Sequence, residues 1–233
     1  MVNKRLLNCN CNIYKVVNPE SCKNVKISNC YIDVGDDCIT IKSGAEDDLL
    51  QKQYPCENIV ITNYNMAHGH GGVVIGSEMS GGVKNVTITN CVFQNTDRGI
   101  RVKTRRKRGG SVERVIISNI IMENVLAAIT LNEYYCCGAD INDEEIFTSK
   151  EIKVTKNTPI ISEIIISDVI CHNTVGAGNY MYGLPEKPIR GITINNIDIN
   201  VCGCEEGIEA IAALNHLKIV KILRSMGTKL NTN

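Results

Sequence analysis

A hexapeptide pattern (polar, apolar, any residue, Ile, any residue, then Asn or Asp) recurs six times, and the apolar content lies in small β-branched residues, with no Trp and two Phe. Together they predict an all-β chain wound as a right-handed parallel β-helix, since short repeats of this kind bury an apolar face only by stacking on one another. The copies are Asn24–Asn29, Asn58–Asn63, Asn85–Asn90, Arg114–Asn119, Glu163–Asp168 and Gly191–Asn196, spaced 34, 27, 29, 49 and 28 residues apart. This spacing leaves no room for the helices of βαβ units. Propeller blades need four strands per repeat and leucine-rich repeats a leucine comb, and neither is present.

Each copy supplies one strand. The Asn or Asp that closes it is expected to turn a corner, because Asn tolerates left-handed backbone and its amide can bond its neighbours in a stacked column. Ten residues beyond the end of the first four copies stand Ile39, Val73, Ile100 and Ile129. Each opens a second, alternating strand, with Ile39/Ile41, Val73/Ile75, Ile100/Val102 and Ile129/Leu131 pointing inward. Thr40/Lys42, Val74/Gly76, Arg101/Lys103 and Thr130/Asn132 then point outward. Two strands per turn at a constant offset give two continuous parallel sheets in one domain, 1–233. Residues 133–162 break the pattern and are read as a long loop leaving the solenoid, and 205–233 as a degenerate last turn or capping segment.

Twenty-five basic residues balance 25 acidic ones, so no net field favours nucleic acid or an anionic membrane as a partner. Met1–Lys15 holds no apolar run long enough for a secretory leader, and no segment reaches membrane-spanning length, which reads as cytoplasmic for the chain as given. Several of the 12 cysteines fall inside strands at repeated positions, as buried, reduced, small apolar side chains would. Cys9/Cys11, Cys136/Cys137 and Cys202/Cys204 lack a second pair or a histidine at zinc-finger spacing, so no metal is expected.

The same register collects chemistry. Seven and eight positions beyond successive copies lie Asp36/Asp37, His70/Gly71 and Asp97/Arg98, with Arg101 and Lys103 close by on the outward face. Each has a plain alternative: a polar turn for Asp36-Asp37, a structural role for His70, a solvated basic run for 101–108. Stacked on one side they form a constellation that a turn column does not need. Paired carboxylates suit glycoside hydrolysis, and adjacent cations suit an acidic sugar, so a polyuronide fits both.

Gly35-Asp36-Asp37-Cys38, Gly69-His70-Gly71 and Arg101-Val102-Lys103 resemble three motifs of the polygalacturonase family of glycoside hydrolases. The stretches 71–82 and 96–104 are similar to its bacterial exo-acting branch, and the resemblance runs from about Asn18 to Ile222. It implies a pectin-lyase-like solenoid, whose members are often secreted or periplasmic, and inverting hydrolysis of α-1,4-linked galacturonate without a cofactor. Asp36 would be the general acid, Asp37 would help activate water, and His70 would tune or position the acid. Arg101 and Lys103 would bind the substrate carboxylate, and Tyr134 or Tyr135, the latter placed in the site, would stack on a sugar ring. The family's Asn-Thr-Asp motif has no counterpart: its Asp falls at Lys15, and the rungs before residue 15 are read as missing. That predicts a truncated family member with weakened or absent activity. The alternatives are a non-catalytic carbohydrate-binding β-helix and a pectate-lyase-like enzyme that would need Ca²⁺.

Overall fold

The computed structural model describes residues 8–13, 16–45, 54–140, 142–202 and 229–232, the first and last of these by backbone alone. Eight strands form one parallel sheet: β1 (Asn8–Ile13), β2 (Lys23–Asp33), β4 (Cys56–His68), β6 (Val83–Gln94), β8 (Ser111–Glu123), β10 (Ile160–Thr174), β12 (Arg190–Val201) and β13 (Lys229–Thr232). Five more form a second: β3 (Ile39–Ile41), β5 (Val73–Gly76), β7 (Arg98–Lys103), β9 (Ala127–Asn132) and β11 (Ala177–Tyr182). The chain alternates between the two sheets turn after turn, which is the right-handed parallel β-helix that the repeats predict. β1 corrects one expectation: a rung does precede residue 15, since Asn8–Ile13 pairs with β2.

The repeat sets the interior columns. Ile27, Ile61, Ile88, Ile117, Ile166 and Ile194 lie in continuous register across β2, β4, β6, β8, β10 and β12. All but Ile194 are at most 1% exposed. Cys30, Tyr64, Cys91, Ile120, Val169 and Ile197 form a parallel column, with the cysteines acting as small apolar residues. Cys30, Cys38, Cys56, Cys91 and Cys171 are buried and lie in no disulfide.

The long strands are folded at their asparagines. Both ends of every copy have left-handed backbone, from Asn24 (φ 58°) and Asn29 (φ 60°) to Gly191 (φ 65°) and Asn196 (φ 50°). A third column, Asn95, Asn124 and Asn173, stands five residues further on. The side chains stack as ladders: Asn63 Nδ2 donates to Asn29 Oδ1 at 3.0 Å, and Asn119 Nδ2 to Asn90 Oδ1 at 3.2 Å. Asn85 Nδ2 likewise donates to Asn58 Oδ1 at 2.9 Å. The closing corner was legible in the sequence. The opening corner was not, because Arg114 and Glu163 adopt it without being asparagine.

Between β9 and β10 the chain leaves the solenoid and carries the short helix α1 (Glu144–Phe147). Arg106 anchors this excursion. Its Nη1 donates to the carbonyls of Glu145, Ile146 and Thr148, while Nε and Nη2 fork onto Glu186 at 2.6 and 2.8 Å. Residues 205–228, read as a last turn or cap, lie outside the described residues; 229–232 form β13.

Candidate active site

The site stands on the outward face of the five-stranded sheet and on the corner preceding it. Ile39, Val73, Ile100 and Ile129 pair in register, so the outward positions stack as the sequence predicts. They are not solvated, however: Thr40, Val74, Arg101, Lys103, Thr130 and Asn132 are all buried. Arg105, Arg106 and Arg108 are buried too, so the stretch 101–108 is not the solvated run its composition suggests.

Glycines let the corner close. A Cβ on Gly69 would stand 2.7 Å from Cys38 Sγ and 2.9 Å from the Asp36 carbonyl oxygen. One on Gly71 would stand 2.9 Å from Asp37 Oδ1 and closer still to Val74. Only glycine fits on either side of His70 without moving these neighbours. Cys38 donates its thiol to the His68 carbonyl at 3.1 Å. Burial, with the Asp37 charge second, pushes that thiol up to about 12, so it stays protonated and inert.

Backbone bonds fix the column. His70 N–H donates to the Asp36 carbonyl at 3.0 Å, Asp97 N–H to that of Gly69 at 3.0 Å, and Gly72 N–H to that of Arg98 at 2.8 Å. The two carboxylates of the pair then part. Asp36 is exposed, and its Oδ1 accepts the Asp37 N–H at 2.7 Å. Asp37 is 4% exposed, with Oδ2 2.7 Å from Lys103 Nζ and Oδ1 3.9 Å from Arg101 Nη1. The ion pair offsets a desolvation cost that neither charge could bear alone. Burial holds the Lys103 ammonium below the ordinary lysine value, with Asp37 opposing it and Arg101 reinforcing it.

His70 Nδ1 lies 2.5 Å from Asp97 Oδ2, and Arg98 Nη1 lies 3.7 Å from the same oxygen. Arg98, singled out only as a column neighbour in the sequence, is 2% exposed. Burial, then Arg101, holds its guanidinium below the ordinary arginine value. Among the described residues, Arg98 Nη1 and Arg101 Nη1 have no hydrogen-bond partner. The buried patch therefore carries donors that no protein acceptor satisfies.

The two tyrosines separate. Tyr134 is 1% exposed, lying under the Arg106 guanidinium at 5.2 Å and against Tyr182 at 4.3 Å, so it has no face for a sugar. Tyr135 is half-buried, with one ring face toward Arg101 at 5.3 Å and Lys103 at 5.2 Å. Burial raises its phenol above the ordinary tyrosine value. Asp36, Asp37, His70, Arg101, Lys103 and Tyr135 thus all lie along one flank. Lys15 lies outside the described residues.

An exposed carboxylate thus stands beside a buried, cation-paired one on the flank of a parallel β-helix, a protein of the solenoid class. The family of glycosyl hydrolases family 28 matches residues 15–216, and the chain belongs to it. A probable polygalacturonase of Vitis vinifera is 32% identical over 186 residues, 79% of this chain and 36% of that protein. An endo-polygalacturonase of Pectobacterium carotovorum subsp. carotovorum is 30% identical over 78% of this chain and 39% of its own length. The crystal structure of an exopolygalacturonase from Thermotoga maritima superposes with a TM-score of 0.64 at 28% identity, covering 80% of this chain and 39% of that one. The chain thus spans well under half the length of each of these relatives.

Proposed function

We propose that this chain carries a polygalacturonase-type site that cleaves α-1,4-galacturonosyl bonds of pectin by inverting acid/base hydrolysis. Asp36, free to reach solvent, donates the proton to the leaving glycosidic oxygen. Asp37, fixed by Lys103, orients and activates the attacking water. His70, one rung along from Asp36, positions the acid. Arg101 and Lys103 receive the uronate carboxylate, and Tyr135 lies against both cations. The observation that carries the reading is the division of one Asp pair into an exposed and a buried, cation-paired member, since two carboxylates can take opposite roles only in different environments.

Lys15 stands where the family resemblance places a further carboxylate. Loss of one water-activating group lowers the rate by roughly 10²–10⁴-fold. That residue favours a second reading, a β-helix that binds oligogalacturonate without turning it over. Release of reducing ends from polygalacturonate by the full chain, with Asp36→Asn as control, separates the two. Slow turnover abolished by Asp36→Asn supports the hydrolase. Binding without turnover supports the binder, and neither binding nor turnover overturns both.

A further inference from the structure

Cys136 and Cys137 stand beside the site, and the proposed chemistry uses neither. They open a turn just past Tyr135: the Ala139 N–H donates to the Cys136 carbonyl at 3.0 Å, and Gly138 takes left-handed backbone at φ 71°. Cys136 is half-buried and Cys137 is exposed. The turn is pinned on both flanks. Tyr135 N–H donates to the Thr104 carbonyl at 2.9 Å, and Arg105 Nη2 to that of Gly138 at 2.9 Å. Tyr135 links the pair to the site, since its hydroxyl is hydrogen-bonded to Cys137. Its ring centroid lies 5.3 Å from the Arg101 guanidinium and 5.2 Å from Lys103 Nζ.

From this juxtaposition we infer that Cys136 and Cys137 are a reversible oxidation site, and that closing them into a disulfide shifts the Tyr135 ring relative to the two cations.

The buried cysteines are poor candidates for the same reaction. Burial pushes the Cys38 thiol up to about 12 and those of Cys56, Cys91 and Cys171 up to about 11, so their thiolates are scarce and shielded. The turn, in contrast, is open to a dissolved disulfide such as oxidised glutathione. The Cys137 thiolate, its proton given to water, attacks one glutathione sulfur, breaks that disulfide and releases one glutathione. The Cys136 thiolate then attacks Cys137 Sγ and releases the second. Two protein thiols are oxidised to one disulfide, and one glutathione disulfide is reduced to two thiols. Adjacent Cα atoms stand about 3.8 Å apart, below the about 4.4–6.8 Å that disulfides ordinarily span. A bond closed across that separation is readily reduced again, which suits a switch and not a permanent staple. With the backbone held on both flanks, closure comes from Cys137 Sγ swinging toward Cys136. That movement takes the Tyr135 hydroxyl's partner away.

The test treats the full chain with excess oxidised glutathione and weighs the tryptic fragment 115–150, in which Cys136 and Cys137 are the only cysteines. The expected result is the loss of two hydrogens, reversed by dithiothreitol. The Tyr135 ring resonance should shift in step in a chain labelled at tyrosine, with Tyr135→Phe identifying that signal. Cys136→Ser should instead retain glutathione on Cys137, and a reduced spectrum matching wild type shows that the variant is folded. A wild-type fragment that ends as a glutathione adduct or with its thiols unmodified overturns the pair. A disulfide that leaves the Tyr135 signal in place overturns its coupling to the site. The inference rests on the proposed function only for its consequence, weaker binding of oligogalacturonate by the oxidised chain. Binding by neither redox form removes the proposed function, while mass and ring signal still decide the oxidation site.

Discussion

The two sheets of this solenoid are made from the same repeating chain, yet they treat their outer faces in opposite ways. On the eight-stranded sheet the strands alternate in burial as the sequence does: β8 carries Ile116 at 45% and Ile121 at 50% exposure between core residues. On the five-stranded sheet, β7 and β9 are buried at every position. The stretches that follow these strands account for the difference. After β7 the chain runs through Arg105, Arg106 and Arg108, all buried, and after β9 it makes the excursion that Arg106 ties down. One sheet is a scaffold whose outer face is left to water. The other is a scaffold whose outer face is sealed around charges, which raises the strength of every electrostatic contact there.

The contrast is broken most severely by removing the seal. Arg106→Ala leaves Glu186 shut from solvent without its fork partner and frees several backbone carbonyls. The expected loss is toward the top of the range of about 3–5 kcal/mol typical of a broken buried pair, read as a fall in the urea midpoint. Lys103→Met comes next, at about 3 kcal/mol, because Arg101 remains within 3.9 Å of the stranded Asp37. It should also abolish oligogalacturonate binding.

The sealed side has a pH signature of its own. Glu133 is fully buried and its Oε2 accepts the Leu184 N–H at 2.9 Å. Burial, opposed by that bond, pushes its carboxyl up to about 8 from an ordinary 4.5. The folded state therefore binds the proton more tightly than the unfolded chain does. The stability this contributes is complete below about 4.5 and is lost as pH rises to about 8. Thermal melts of Glu133→Gln should lack this decline across the window. A wild-type Tm that holds level over the same range would argue against a buried neutral carboxyl.

On the open sheet the expected effects are smaller. Asn63→Ala places alanine at φ 59° and removes rungs to Asn29 and Asn90. It should cost about 1–2 kcal/mol. Asn63→Gly keeps the corner but not the ladder, so its smaller loss in a denaturation curve measures the side-chain bonds alone. Lys23→Ala removes an exposed lysine whose partner Glu57 keeps Lys84, and should change the midpoint by less than about 0.5 kcal/mol.

Much of this was open to a reading of the chain alone. The period of the copies, the offset to Ile39, Val73, Ile100 and Ile129, and the column joining Asp36, His70 and Asp97 all follow from counting, because a solenoid converts sequence spacing directly into spatial neighbourhood. The burial of residues 101–108, Lys107 apart, was hidden, since charge composition reports what residues are and not what folds over them. The difference between Tyr134 and Tyr135 was hidden as well. Adjacent side chains leave a chain in different directions, but which direction meets Arg106 depends on a loop return from Glu186, 80 residues away. Arg98 gave only a weak signal, its place one step past Asp97 in the column.

The sequence by itself determined the solenoid, its corners and the line of residues along one flank, because those rest on local backbone preference and on a repeat that must stack to bury its isoleucines. Only the tertiary structure decided which of two neighbouring aspartates is sealed against Lys103 and which faces water, and which of two neighbouring tyrosines meets Arg106 and which meets the cations. Those outcomes turn on irregular segments packing over a regular sheet, and desolvation, unlike periodicity, is set by whatever the rest of the chain brings to cover a residue.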